Sequence, residues 1–172
     1  MDIIRSLIRD IPDFPKPGIL FRDITPLMEN PEGLKATIDA LCEPWLDNPP
    51  DAVAGIESRG FLFASTMAYK LGCGCIIIRK PGKLPGKTRS QSYALEYGED
   101  TIEIHEDSAK PGQRVVLVDD LLATGGTMAA AEKLVAGLGA TIIEQLFVVE
   151  LSFLEGRKKL GSPPVRSLIT YP

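Results

Sequence analysis

From residue 51 onward, short apolar runs alternate with stretches of helical periodicity. The runs are Ala52 to Ile56, Cys73 to Arg79, Val115 to Val118 and Thr141 to Leu151. Continuous rather than alternating apolar character suits strands covered on both faces. Phe61 to Leu71 and about Gly126 to Leu138 carry apolar residues at helical spacing. Strands alternating with helices of this length predict an α/β fold with a central parallel sheet flanked by helices. Residues 92–105 differ: Ser92 to Glu96 and Thr101 to His105, joined across Gly98, predict an antiparallel hairpin. At the N-terminus, Ile3, Ile4, Leu7, Ile8 and Ile11 predict one short amphipathic helix over Asp2 to Ile11. Pro12, Pro15 and Pro17 forbid its continuation, so 12–26 reads as an extended loop. Asn30-Pro31 pairs an N-cap with a first-turn proline ahead of a second helix that runs through Leu34, Ile38 and Leu41 toward Leu46 and is ended by Asn48-Pro49-Pro50. Val165 to Tyr171 reads as a final strand. No repeat or linker divides the chain, so residues 1–172 are expected to form a single domain.

Composition narrows the classes of function. Apolar residues make up 44% and charged residues 24% of 172 residues, which excludes a disordered chain. No apolar run approaches the length that crosses a bilayer, and the charged N-terminus does not read as a signal peptide. A net charge of -4 argues against nucleic acid as a partner. The three cysteines, Cys42, Cys73 and Cys75, have no framework spacing and fit a cytoplasmic location. With His105 as the single histidine they build no zinc site, and they are expected to be small buried hydrophobes.

Three stretches carry candidate chemistry. In the first, the strand Val115 to Val118 ends in Asp119 and Asp120, and Ala123-Thr124-Gly125-Gly126-Thr127 then enters a helix. Glycines there let backbone N–H groups face an anion, and the helix N-terminus adds positive potential. The two carboxylates would repel a phosphate, so their partners are hydroxyls or a divalent cation. A diol beside a phosphate describes a ribose 5-phosphate. The second stretch is the junction Glu57-Ser58-Arg59-Gly60, which alone reads either as an anion site or as an N-cap with a surface arginine. In the third, residues 79–89, Arg79, Lys80, Lys83, Lys87 and Arg89 occur without an acid in a Gly- and Pro-rich stretch. That stretch reads as a solvated basic loop or as a mobile clamp on a second anion. Gly86-Lys87-Thr88 is not a phosphate-binding P-loop, because the glycine that motif requires falls at Pro81. Together the pieces fit 5-phosphoribosyl 1-pyrophosphate.

The 115–127 string resembles the ligand motif of the type I phosphoribosyltransferases. Residues 21–26, 57–61, 78–86 and 93–98 are similar to the adenine-specific branch of that family. The resemblance implies a type I phosphoribosyltransferase fold with a small N-terminal hood over residues 1–30 and a flexible lid loop and hairpin over 80–105. It implies a magnesium-dependent glycosyltransferase of purine salvage that moves the phosphoribosyl group to N9 of adenine, giving AMP and pyrophosphate, and that acts as a cytoplasmic homodimer. Under it, Asp119 and Asp120 hold the ribose hydroxyls, with a possible share in magnesium, and Ala123, Thr124, Gly125, Gly126 and Thr127 bind the 5-phosphate. Arg59, Arg79, Lys80 and Lys83 face the pyrophosphate, and Leu20, Phe21 and Arg22 form the adenine pocket. Glu57–Ser58 is a non-proline cis peptide, and Glu96, beside Tyr97, is the acid/base group. The alternatives are transfer to another purine or pyrimidine, and a regulator that binds the same ligand without catalysis.

Overall fold

The apolar runs become the middle of a sheet. A computed structural model describes residues 2–94 and 98–172. The chain begins with α1 (Asp2–Ser6), β1 (Arg9–Pro12), β2 (Leu20–Asp23), α2 (Thr25–Glu29) and α3 (Pro31–Cys42). It continues through β3 (Ala52–Ile56), α4 (Gly60–Leu71), β4 (Gly74–Ile78), β5 (Thr88–Ala94) and β6 (Glu99–His105). β7 (Arg114–Leu122), α5 (Gly126–Gly137), β8 (Thr141–Leu151) and β9 (Val165–Tyr171) complete it. Five strands form one parallel sheet in the order β4-β3-β7-β8-β9. The expected fold class is therefore observed.

The sheet separates two apolar cores, and successive residues of its central strands feed opposite sides. Val53, Val116 and Val118 join Phe63 and Met67 of α4 and Leu41 of α3 on one face. Ala54, Val115 and Leu117 join Met128, Ala131 and Leu134 of α5 on the other. This two-sided burial is why β3 and β7 read as unbroken apolar runs. Ile102 and Ile104 of β6 enter the second core, which docks the β5–β6 hairpin onto α5.

Several boundaries differ from the sequence expectation. The first helix stops at Ser6, and Ile11 lies in β1, which pairs antiparallel with β2. Residues 12–26 are thus not a plain loop: Asp10 faces Arg22 and Ile11 faces Phe21 across a small sheet. Asp23 fastens this hood, because Arg9 donates to it at 2.5 Å and the Thr25 N–H at 2.9 Å. β7 extends through Leu122, so Asp119 and Asp120 lie within the strand where its ladder with β8 continues past the end of β3. The basic stretch gives up its last residues to β5. Cys42 is buried as expected, but Cys75 is exposed and Cys73 only half-buried, because β4 is an edge strand. Asn30 caps α3, its side chain accepting from the Gly33 N–H.

Candidate active site

Two glycines let α4 start hard against the sheet. A Cβ on Gly55 would lie 2.6 Å from that of Ala64, and a Cβ on Gly60 would lie 2.8 Å from Asp119 Oδ1. This close approach brings the Glu57–Gly60 turn beside the carboxylates at the end of β7, so the second candidate junction belongs to the first. Arg59 Nε reaches Asp120 Oδ2 at 2.7 Å. The Glu57–Ser58 peptide is cis, as the resemblance implies. Glu57, Ser58, Arg59, Lys80, Tyr93, Asp119, Asp120 and Thr127 line one open cavity of about 380 Å³.

A smaller cavity of about 80 Å³ abuts it, lined by Asp119, Phe147 and the chain from Leu121 to Met128. Gly125 takes a left-handed φ of 77° there, a conformation that favours glycine, and α5 begins at the next residue. The first turn of α5 therefore opens on this cavity with its N–H groups and positive dipole end. Ala123 through Thr127, the residues the sequence puts forward for an anion, all line this cavity.

Charge is arranged in opposition. Burial first, and the Asp120 charge second, pushes the Asp119 carboxyl well above the ordinary carboxylate range. Hydroxyl donors or a cation at this point would favour its ionised form. Glu57 is the reverse: it accepts from Lys83 Nζ at 2.5 Å, the Lys80 N–H at 3.0 Å and Arg79 Nε at 3.3 Å. Its carboxyl is lowered from 4.5 to about 2, chiefly by the Lys83 hydrogen bond. Lys80 pairs with Asp100 and lies 3.4 Å from the Tyr93 hydroxyl, which itself donates to Asp100 at 3.1 Å. Arg59 and Lys80 thus line the cavity, Arg79 and Lys83 reach it through Glu57, and each of the four holds a carboxylate.

The base-binding residues are split. The Phe21 ring packs edge-on against Phe14 at 5.2 Å and lies 5.9 Å from the Arg59 guanidinium, which ties it to the site. Leu20 is exposed beside it. The Arg22 side chain leads the other way, pairing with Asp10 and stacking 3.8 Å over the Tyr171 ring. Glu96 and Tyr97 lie outside the described residues. Tyr93 and Asp100 are site residues that sequence reasoning missed. Tyr93 falls inside a quoted motif but shows its role only through its contact with Lys80 and its ring edge near Gly126. Among the described residues no three Asp, Glu, His or Cys side chains converge as a metal cage. The Asp119–Asp120 pair fits an ion held mostly by ligand oxygens.

This combination of parallel sheet, strand-end carboxylates and anion cradle defines a class, and sequence comparison names it. The chain belongs to the phosphoribosyl transferase family, whose model, described as the phosphoribosyl transferase domain, matches residues 27–161. Within that class its similarity is to adenine phosphoribosyltransferases. That of Anaeromyxobacter dehalogenans is 53% identical over 171 residues, covering 99% of each chain. The crystal structure of the enzyme from Thermoanaerobacter pseudethanolicus superposes with a TM-score of 0.94 at 49% identity, covering 99% of each chain. The Saccharomyces cerevisiae enzyme, complexed with adenine and an imino-altritol bisphosphate, gives 0.90 at 43%, covering 97% of this chain and 98% of that one.

Proposed function

We propose that this chain transfers the 5-phosphoribosyl group from 5-phosphoribosyl 1-pyrophosphate to N9 of adenine, releasing AMP and pyrophosphate. The observation that carries the reading is the pair of abutting cavities, one lined by residues 121–128 at the start of α5 and the other by Arg59, Lys80 and two aspartates, sharing Asp119. The similarity to adenine phosphoribosyltransferases selects the base.

The roles proposed for the chain's residues draw on the motif resemblance and on the geometry of the two cavities. The 5-phosphate sits on the N–H groups of residues 123–127, at the start of α5. Asp119 and Asp120 accept from the ribose hydroxyls, and Arg59 turns from Asp120 toward the pyrophosphate. Arg79, Lys80 and Lys83 exchange their present acids for the same group. As the glycosidic bond to pyrophosphate breaks, positive character grows on the anomeric carbon while negative charge leaves with oxygen, so cations fixed around the leaving group lower the barrier. Magnesium would supply further neutralisation of the leaving group, and Asp119 and Asp120 are the residues that would help to hold it. Adenine lies against Phe21 and the backbone of residues 20–22. Its N9 must lose a proton, and Glu96 is the proposed base, with Tyr97 beside it.

The protein is further proposed to act in the cytoplasm as a homodimer. The three cysteines are free, and among the described residues no helix is long and apolar enough to cross a membrane. Leu62 and Tyr69 on one side of α4, and Ile77 on edge strand β4, expose an apolar surface that a second copy would cover. AMP formation from adenine, magnesium and 5-phosphoribosyl 1-pyrophosphate, compared with guanine, hypoxanthine, xanthine and orotate, tests the central reading. Turnover with adenine is expected; binding without pyrophosphate release would establish the regulator instead, and turnover of another base would reassign the acceptor.

A further inference from the structure

The chain between β8 and β9 closes against the phosphate cradle, backbone upon backbone. A Cβ on Gly125 would lie 2.3 Å from the Gly156 carbonyl oxygen. One on Gly156 would lie 2.2 Å from the Ala123 carbonyl oxygen and 3.1 Å from the Gly125 nitrogen. Gly156 is buried, and beside these backbone contacts only the Leu122 side chain comes as near, its Cδ1 2.9 Å from the same Cβ position. Its neighbours hold it there. Arg157 forks onto Glu150, with Nε and Nη2 each donating to a carboxylate oxygen at 2.6 Å, while Nη1 donates to the Val165 carbonyl at 3.0 Å. Glu150 is 4% exposed and stands in register with Leu122, the last β7 residue before the cradle. On the entering side, Glu155 holds a left-handed φ of 53°, uncommon for a residue with a side chain. On the leaving side, the Gly161 N–H donates at 2.9 Å to Glu132 of α5, the helix that the cradle starts.

We propose that the Glu150–Arg157 pair is a positioning device for 5-phosphate binding: it seats Gly156 against Gly125 and Ala123 and so fixes the direction of the cradle N–H groups. The inference rests on the phosphoribosyl-transfer reading and adds to it two residues that line neither cavity. A planar guanidinium doubly bonded to a carboxylate sets orientation as well as distance, which a lysine ammonium does not. Anion affinity in a cradle of backbone donors depends on that aim, and displacement of order an ångström at a positioned site costs up to about a hundredfold.

Steady-state kinetics, with adenine and 5-phosphoribosyl 1-pyrophosphate varied separately, test the proposal on Arg157→Gln, Arg157→Lys and Gly156→Ala. Arg157→Gln and Gly156→Ala are expected to raise KM for 5-phosphoribosyl 1-pyrophosphate about tenfold or more and to leave that for adenine within about twofold. Arg157→Lys should fall between them and the wild type. Arg166→Lys, which breaks another arginine–glutamate fork away from the cradle, should lower Tm without moving either KM. If Arg157→Gln does not fold, Arg157→Lys and Gly156→Ala decide the matter. The proposal fails if KM for 5-phosphoribosyl 1-pyrophosphate stays at the wild-type value in folded variants. It also fails if both KM values rise together, or if Arg166→Lys raises the same KM equally. A wild type that forms no AMP would instead overturn the functional reading.

Discussion

Of the two acidic side chains that the site drives in opposite directions, Asp119 up and Glu57 down, Glu57 carries a dependence of stability on pH. Glu57, held near 2 by Lys83, Lys80 and Arg79, is bound more favourably as the carboxylate in the folded chain than in the unfolded one. A depressed folded value contributes stability that is complete above about 4.5 and disappears as pH falls toward 2. Glu57→Gln should therefore flatten the loss of stability over that window, read from urea midpoints measured between neutral and acid pH. An unchanged acid limb would show that the three donors do not act on it. Glu96 is the residue whose role rests on motif resemblance and chemistry alone. Glu96→Gln is expected to keep 5-phosphoribosyl 1-pyrophosphate binding and to lower kcat by roughly a hundredfold. Near-normal turnover would remove it from the mechanism. At this scale the sequence was a poor guide to what the side chains touch. Arg22 sits next to Phe21 in the chain, yet its side chain stacks on Tyr171 near the opposite end of the sequence.

Among elements, the junction of α4 with the sheet is one of the close approaches that build the site. The Cβ of a Gly60→Ala variant would meet Asp119 Oδ1 at 2.8 Å and the Val118 carbonyl oxygen at 3.1 Å, and the latter is backbone that cannot swing away. We expect it to destabilise the fold by about 1–3 kcal/mol and to lower kcat/KM for 5-phosphoribosyl 1-pyrophosphate, since α4 and the Asp119 carboxylate can no longer approach. Urea unfolding and initial rates measure both effects; wild-type values in both would show that the helix start is free to shift. Helix α3 and strands β3, β8 and β9 were legible because each is encoded locally: a proline behind a capping asparagine, or an apolar run between turns. The β1–β2 hairpin was not. Ile11 continues a helical spacing with Ile4 and Ile8, and what turns it into a strand is pairing with Phe21 across the hood.

For the whole molecule, Arg166 of β9 is the tie between the sheet's far edge and the helical layer. Its guanidinium donates to both Glu144 oxygens, at 3.0 and 3.1 Å, and to the Ala40 and Leu41 carbonyls at the end of α3. Trp45 Nε1 donates to the same carboxylate at 3.0 Å. Arg166→Ala leaves a mostly buried carboxylate with one side-chain partner and helix-end carbonyls without a donor. A loss of about 3 kcal/mol is expected, or roughly 10 °C in Tm at fixed protein concentration. A shift below about 2 °C would mean that the fork contributes little beyond what water supplies.

What the amino-acid order determined by itself was everything written in short range. Apolar runs encode central strands, Asn30-Pro31 encodes a helix start, and two aspartates followed by Ala-Thr-Gly-Gly-Thr carry the motif on which the proposed ribose-phosphate site rests. Those signals survive because neighbouring residues share one element, so period and turn chemistry express them directly. Tertiary structure alone decided the pairings between distant segments. It set Glu57 against Arg79 and Lys83, Lys80 against Asp100 and Tyr93, and Gly156 against Gly125. Such contacts depend on the packing of a parallel sheet whose neighbouring strands are separated along the chain by helices or long connections, and no local pattern records which glycine will meet which carbonyl.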